Sequence, residues 1–262
     1  MVSEDFHVHS DYSDGENTLE ELAEAAVARG MTRLGISDHS FTSFDPAPCV
    51  PPERLEERRR ALAALREQYR GRLELYCGIE QDLYSDLPAE GYDYVIGSVH
   101  YLLLDGTYYS VDEDPAQLSA LAHDRFDDDI YALTECYFRT VAQTAERTLC
   151  RVIGHFDLIS KFNEKHPLFS VRHPRYIAAW HSAADTLLKS GALFEINTGA
   201  MSRGWTTSPY PAEDILRYLS DRGAAFVLSS DSHSAKNLCY DFENQEKRAR
   251  ALGLRLGRVI PD

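Results

Sequence analysis

At 262 residues, with 44% apolar and 26% charged side chains, the chain is long enough for one large hydrophobic core and has the composition of a soluble globular domain. Its formal charge of −15 opposes non-specific attraction to a nucleic-acid backbone, and no apolar run of about 18 residues is present to span a bilayer. Five scattered cysteines, odd in number and without a CxxC pair, argue against a disulfide framework and for a reducing compartment; the first strand begins within a few residues of Met1, leaving no room for a leader, so a cytoplasmic protein is expected.

In chain order, Asp5-Phe-His-Val-His9 opens as a strand, and alternation sends His7 and His9 to the same face. Residues 17–29 read as a helix with apolar positions at 19, 22, 23, 26 and 27, capped by Asn17 or Thr18 and stopped by Gly30. RLGIS then leads into Asp38 and His39, a Pro-rich loop, and a long charged helix from Glu53 to about Tyr69. Further strands cover 73–79 ending at Glu80, 94–99 ending at His100, 151–154 ending at His155, 192–196 carrying Glu195, and 225–230 ending at Asp231. Helices at 129–147, 174–190 and 211–222 separate most of them. Seven β-rich runs alternating with helices imply parallel strands with right-handed crossovers, and no linker interrupts them, so residues 1–262 are expected to form one barrel-like α/β domain.

In a βα barrel the functional side chains gather at the C-terminal ends of the strands. His7, His9, Asp14, Asp38, His39, Glu80, His100, His155, Asp231 and His233 all fall there. Four carboxylates and six histidines converging would repel one another and desolvate badly without cations. Mixed imidazole and carboxylate donors suit zinc, ferrous iron or manganese, and the number of donors exceeds what one ion needs. His123, His166, His173 and His181 lie in helical or loop stretches and are read as surface or internally satisfied residues.

The segments HVHSDYSDG (7–15), GISDHS (35–40), GIEQDLY (78–84), VIGSVHYL (95–102), IGHFDLISKF (153–162), FEINTGA (194–200) and SSDSHS (229–234) together resemble the polymerase and histidinol phosphatase (PHP) superfamily of metal-dependent phosphoesterases, within it most of all the bacterial histidinol-phosphate phosphatases. The resemblance runs through nearly the whole chain and implies a distorted seven-stranded (β/α)7 barrel. It also implies a site for three divalent ions, zinc, iron or manganese. Carried over residue by residue, His7, His9, Glu80 and Asp231 would hold the first ion, and Glu80 would bridge to a second held by His100 and His155. Asp14, His39 and His233 would hold the third. Asp38 is expected to orient His39, with direct ligation as the alternative, and Asp157 and Glu195 to serve as supporting or packing residues. Lys161 and Arg203 stand where similar phosphatases place basic phosphate-binding residues, and Tyr101 and Trp205 either line the substrate pocket or pack.

The implied reaction is hydrolysis of L-histidinol phosphate, a small phosphomonoester of histidine biosynthesis, by a metal-activated hydroxide attacking phosphorus, with Glu80, Asp231 and His233 in the catalytic group. Three other readings compete. A related phosphoesterase acting on nucleotides, sugar phosphates or DNA ends would share the chemistry, but the acidic charge and the lack of a basic, aromatic-interleaved stripe oppose a nucleic-acid substrate. An amidohydrolase also opens on HxH, yet such enzymes typically carry a metal-bridging lysine and lack the strand-end Glu80 and the Asp231-Ser-His233 motif. A non-enzymatic, metal-stabilised binding module is disfavoured by the presence of all nine proposed ligands.

Overall fold

A computed structural model describes residues 4–261. The elements, in order, are β1 (Glu4–Asp5), α1 (Leu19–Ala28), β2 (Arg33–Ile36), α2 (Leu55–Gln68), β3 (Glu74–Asp82), β4 (Tyr94–Ser98), β5 (Tyr101–Leu104), β6 (Thr107–Ser110), α3 (Pro115–Phe126), α4 (Ile130–Val141), α5 (Thr144–Thr148), β7 (Val152–Ile153), α6 (Pro174–Leu187), β8 (Leu193–Asn197), α7 (Gly199–Ser202), α8 (Glu213–Asp221), β9 (Phe226–Ser229) and α9 (Phe242–Ala251). Seven strands pair in parallel in the order β1-β2-β3-β4-β7-β8-β9. Beyond β1 the seam closes at a single parallel bridge, Val8 to Ser232, where His9 N donates to Ser232 O at 2.9 Å and Ser232 N to His7 O at 3.1 Å. The buried Asp5 carboxylate reinforces it by accepting from Ser230 N (3.2 Å) and Cys239 N (2.9 Å). The result is the expected distorted seven-stranded barrel with helices outside.

Strand β3 holds the two halves of the sheet together. Its first residues pair with β2 (Arg33↔Glu74 to Ile36↔Cys77) and its last with β4 (Gly78↔Tyr94 to Asp82↔Ser98). The strand therefore runs two residues past the expected end, and Glu80 sits within it, fixed by backbone pairing to Ile96. The Tyr94 ring fills the barrel interior; a Cβ at Gly35 or Gly78 would lie 2.2 Å or 2.1 Å from it, so both positions need glycine for close approach. Its hydroxyl donates to Phe6 O at 2.7 Å.

Outside the sheet, α1 and α2 cover β1 to β3 with a cluster built on Leu22, Ala26, Leu34, Leu62 and Leu65, while α3, α4, α6 and α8 cover the other strands with a larger aromatic core including Tyr137, Phe138, Phe156, Trp180 and Phe194. Thr18, rather than Asn17, caps α1: its hydroxyl accepts from Glu21 N while Glu21 accepts from Thr18 N, a capping box of about 1 kcal/mol.

The helix expected over 129–147 is broken into α4 and α5, because the chain turns at 142–143 to lay Thr144 and Thr148 against the bare Gly97 backbone. The helix expected over 211–222 is shorter, Glu213–Asp221. The β5–β6 hairpin, α3 and α9 were not anticipated. Among the described residues no helix is long and apolar enough to cross a membrane.

Candidate metal centre

All nine expected ligands meet at the C-terminal mouth of the barrel. The turn after His9 brings Asp14 back over it: Ser13 N and Gly15 N both donate to Ser10 O at 3.0 Å, and a Cβ on Gly15 would lie 2.4 Å from His9 O. Glycine is required there by contact, not by backbone angle. Asp231, just beyond β9, has a left-handed φ of 47°, a conformation aspartate tolerates better than most residues and one that turns its carboxylate toward the histidines.

Four atoms face one another at the bottom of the cavity. His7 Nε2 lies 3.2 Å from Glu80 Oε2, His9 Nε2 lies 3.5 Å from both Glu80 Oε2 and Asp231 Oδ1, and His7 Nε2 lies 3.9 Å from Asp231 Oδ1. Ligands at zinc bond lengths in a tetrahedron are about 3.3 Å apart, so these edges have the size of a coordination shell. The other Glu80 oxygen, Oε1, faces His155 Nε2 at 2.9 Å and His100 Nε2 at 3.4 Å. Higher in the mouth, Asp14 Oδ2 lies 3.2 Å from His233 Nε2 and 3.8 Å from His39 Nε2. His39 Nδ1 faces Glu80 Oε2 at 3.0 Å, so the ring spans two of these groups.

His7, His9, Glu80, His155 and Asp231 are at most 5% exposed, and His7 Nε2, both nitrogens of His9, and Glu80 Oε2 are buried with no hydrogen-bond partner. Buried polar atoms left unpaired at this density are costly. Donor type, spacing and missing partners all fit divalent cations.

Charge shapes the protonation of the cluster. Burial favours neutral imidazole, yet Glu195, Glu80 and Asp231 hold the His7 pKa well above its ordinary value, and Glu80 and Asp82 do the same for His100. Burial, with His233 and His39 nearby, pushes His9 down to about 4. Against the effect of burial, His7, His39 and His100 hold Glu80 well below the carboxylate range, and Arg203 with His7 does so for Asp231.

Supporting contacts fix the rings. Glu195 Oε1 sits 2.6 Å from His7 Nδ1, and its Oε2 accepts from His155 N (2.9 Å) and Asn197 Nδ2 (3.0 Å), so it orients a histidine as anticipated. Asp82 Oδ2 lies 3.1 Å from His100 Nδ1 and accepts from His100 N at 3.1 Å. Sequence reading missed Asp82, although its place two residues after Glu80 on the same strand puts it on the same face. Asp157 accepts from Ala212 N at 3.1 Å, anchoring the entry to α8; burial pushes its carboxyl up to about 6. Asp38 corrects an expectation: its oxygens accept from Ser10 N, Ser10 Oγ, Ser13 Oγ and the wholly buried Arg58, and no contact to the His39 ring is among its bonds.

A cavity of about 420 Å³ opens above the cluster, lined among others by Asp45, Tyr101, Asp112, Lys161 and Arg203. Lys161 Nζ donates to Asp112 Oδ2 (2.9 Å) and Asp112 O (2.6 Å); Arg203 donates to Asp231 Oδ2 and Asp231 O, both at 3.1 Å. Tyr101 lines the cavity and donates to Asp45 Oδ2 at 2.6 Å. Trp205 instead packs edge-on against Phe162.

The remaining histidines serve locally. His123 lies 2.9 Å from Asp128, His173 caps α6 and stacks on Tyr131, His181 stacks on Tyr218, and His166 lies near Trp205.

Comparison with known proteins agrees with this geometry. A probable histidinol-phosphatase of Deinococcus radiodurans is 31% identical over 98% of this chain and 95% of its own length, and the histidinol-phosphatase of Bacillus subtilis is 25% identical over 93% and 98%. Among solved structures, a candidate histidinol phosphatase of Listeria monocytogenes superposes with a TM-score of 0.78 at 18% identity, covering 92% of this chain and 99% of that one. The histidinol phosphate phosphatase of Lactococcus lactis, solved with zinc, L-histidinol and phosphate, superposes with a TM-score of 0.71 at 19% identity over 97% and 95%. The PHP domain model matches residues 5–199, and the chain belongs to the PHP domain family.

Proposed function

We propose that this protein is a divalent-metal-dependent phosphoric monoester hydrolase that converts L-histidinol phosphate to L-histidinol and phosphate. The observation that carries the reading is the set of buried, partnerless imidazole and carboxylate atoms around Glu80, spaced as ligands of cations, beneath a cavity edged by Lys161 and Arg203. Histidinol phosphate is favoured over other monoesters by the full-length similarity to proteins named histidinol-phosphatase.

We assign His7, His9, Glu80 and Asp231 to one ion, Glu80, His100 and His155 to a second, and Asp14, His39 and His233 to a third, with zinc, iron or manganese as the candidates. When bound, such ions polarise phosphoryl oxygens and lower the pKa of water toward neutrality. Glu80 contributes one oxygen to each of two groups and so fixes their separation. Glu195 and Asp82 hold Nδ1 of His7 and of His100, which leaves Nε2 of each facing Glu80. Arg203 and Lys161 supply the positive charge for a phosphate dianion, each by exchanging part of its present carboxylate bonding. Free cysteines agree with a cytoplasmic setting.

The test is turnover by purified protein reconstituted with manganese, zinc or iron. The expected result is a kcat/KM for histidinol phosphate at least about a hundredfold above those for sugar phosphates and nucleotides, roughly 3 kcal/mol of discrimination. Equal turnover of all of them would refute the substrate assignment.

A further inference from the structure

We infer that Arg58, a residue of α2 outside every sequence motif of the site, is the positioning residue that holds the Asp14 turn in register with the chain segments carrying His39 and Glu80. Resting on the cation-binding reading above, this assigns the upper group of ligands a dedicated buried support.

Arg58 and Asp38 are both 0% exposed and meet at 2.5 Å through Arg58 Nε and Asp38 Oδ2. A buried guanidinium is costly unless its charge and its donors find partners, and here all three nitrogens do, on β2, on β3 and on Asp38 just beyond β2. One terminal nitrogen donates to Ile36 O and Gly78 O, both at 3.0 Å, and the other lies 3.3 Å from Cys77 Sγ. Ile36 ends β2 three residues before His39, and Gly78 lies on β3 two residues before Glu80.

The segment that follows β1 is reached through Asp38. Its Oδ1 accepts from Ser10 N at 2.6 Å, Ser10 Oγ at 2.9 Å and Ser13 Oγ at 2.7 Å, and its Oδ2 from Ser10 Oγ at 2.9 Å. Ser10 follows His9 and Ser13 precedes Asp14. One cation thus ties down, within three residues each, His9, Asp14, His39 and Glu80. Asp14 is the member with most freedom, since it stands on a turn with a third of its side chain exposed, whereas His9 and Glu80 are enclosed. Loss of the support should therefore fall on the Asp14, His39 and His233 group first.

The experiment compares wild type with Arg58→Met, Arg58→Lys, Asp38→Asn and Ser13→Ala. It measures the manganese and zinc content retained at equilibrium, the affinity of the weakest-held ion, and the melting temperatures of chelator-treated and metal-loaded protein. Ser13→Ala removes one hydroxyl at a partly exposed turn and leaves the core intact, so it reports even where the buried variants fold poorly. The expected result is about a tenfold loss of affinity for the weakest ion in Ser13→Ala, a larger loss in Asp38→Asn, and a partial return toward wild type in Arg58→Lys relative to Arg58→Met. The gap between loaded and metal-free melting temperatures should narrow in step. Wild-type ion affinity in Ser13→Ala and Asp38→Asn, with metal-free and loaded melting temperatures falling equally, would overturn the inference by showing a purely structural pair. A wild-type protein that retains no cation would instead sink the metal-site reading.

Discussion

The bottom and the rim of the cavity are both built from polar and ionisable side chains, and they solve opposite problems. At the bottom, His7, His9 and Glu80 are enclosed and leave polar atoms with no partner. At the rim, Lys161 is already bonded to Asp112, Arg203 to Asp231, and Tyr101 to Asp45. An unpaired buried donor set is costly until a cation fills it, whereas a satisfied ion pair gains only the difference between its old and its new partner. The bottom should therefore decide whether the protein binds metal at all, and the rim should decide how well a phosphate is held. Each perturbation below separates or merges those two roles.

The largest effect is expected from Glu80→Gln. Removing the carboxylate shared by two groups should cost several kcal/mol of transition-state stabilisation, a loss of activity on the order of a thousandfold, accompanied by a lower retained-metal content. Wild-type turnover in that variant would show that the bottom is not the reactive centre.

Next come the residues behind the ligands. Glu195→Gln and Asp82→Asn should each weaken metal affinity or activity by about 10–100-fold, read by competition with a chelator, because His7 and His100 would keep only a neutral acceptor in place of the carboxylate that fixes their rings. No change in chelator competition would mean that packing alone orients them.

At the rim, Arg203→Ala and Lys161→Ala should raise KM or lower kcat/KM by roughly 10–100-fold, about 1.5–3 kcal/mol for a charge-assisted hydrogen bond, and should differ in metal retention. Lys161→Ala should leave it unchanged, while Arg203→Ala should disturb it because Arg203 also holds Asp231. Equal metal loss in both would blur the division between rim and bottom.

The smallest effect is on pH dependence. In the metal-free protein, against the effect of burial, nearby carboxylates raise His7 and His100 well above the ordinary imidazole value and so favour the protonated rings. Cations compete with those protons: binding should release them, and affinity should fall as pH drops and rise as it increases. Calorimetry in buffers of different ionisation enthalpy measures the release, and no proton release near pH 7 would contradict the assignment.

Much of this was legible in the sequence because the ligands recur at strand ends, and strands announce themselves by short β-rich runs between helical ones. All seven barrel strands were found. The β5–β6 hairpin carries a strong signal of its own in the Asp105-Gly106 turn, with φ of 49° and 81°, but it lies outside the strand-then-ligand rhythm by which the barrel strands are legible. Likewise Asp114-Pro115 announces α3 by cap and first-turn proline. Arg58 was invisible for another reason. On a helix rich in Arg and Glu it reads as one more solvated charge, and only the tertiary fold shows that its face turns inward to Asp38. The roles of Tyr12 and Ser13 are likewise visible only in the fold, where the first donates to Glu57 and the second to Asp38.

The most direct test is the number of cations bound per chain when chelator-treated protein is titrated with manganese or zinc and the activity on histidinol phosphate is followed alongside. Activity should be absent without metal and reach its plateau as the third equivalent is taken up. Full activity in the metal-free protein, or a plateau after one equivalent, would contradict it.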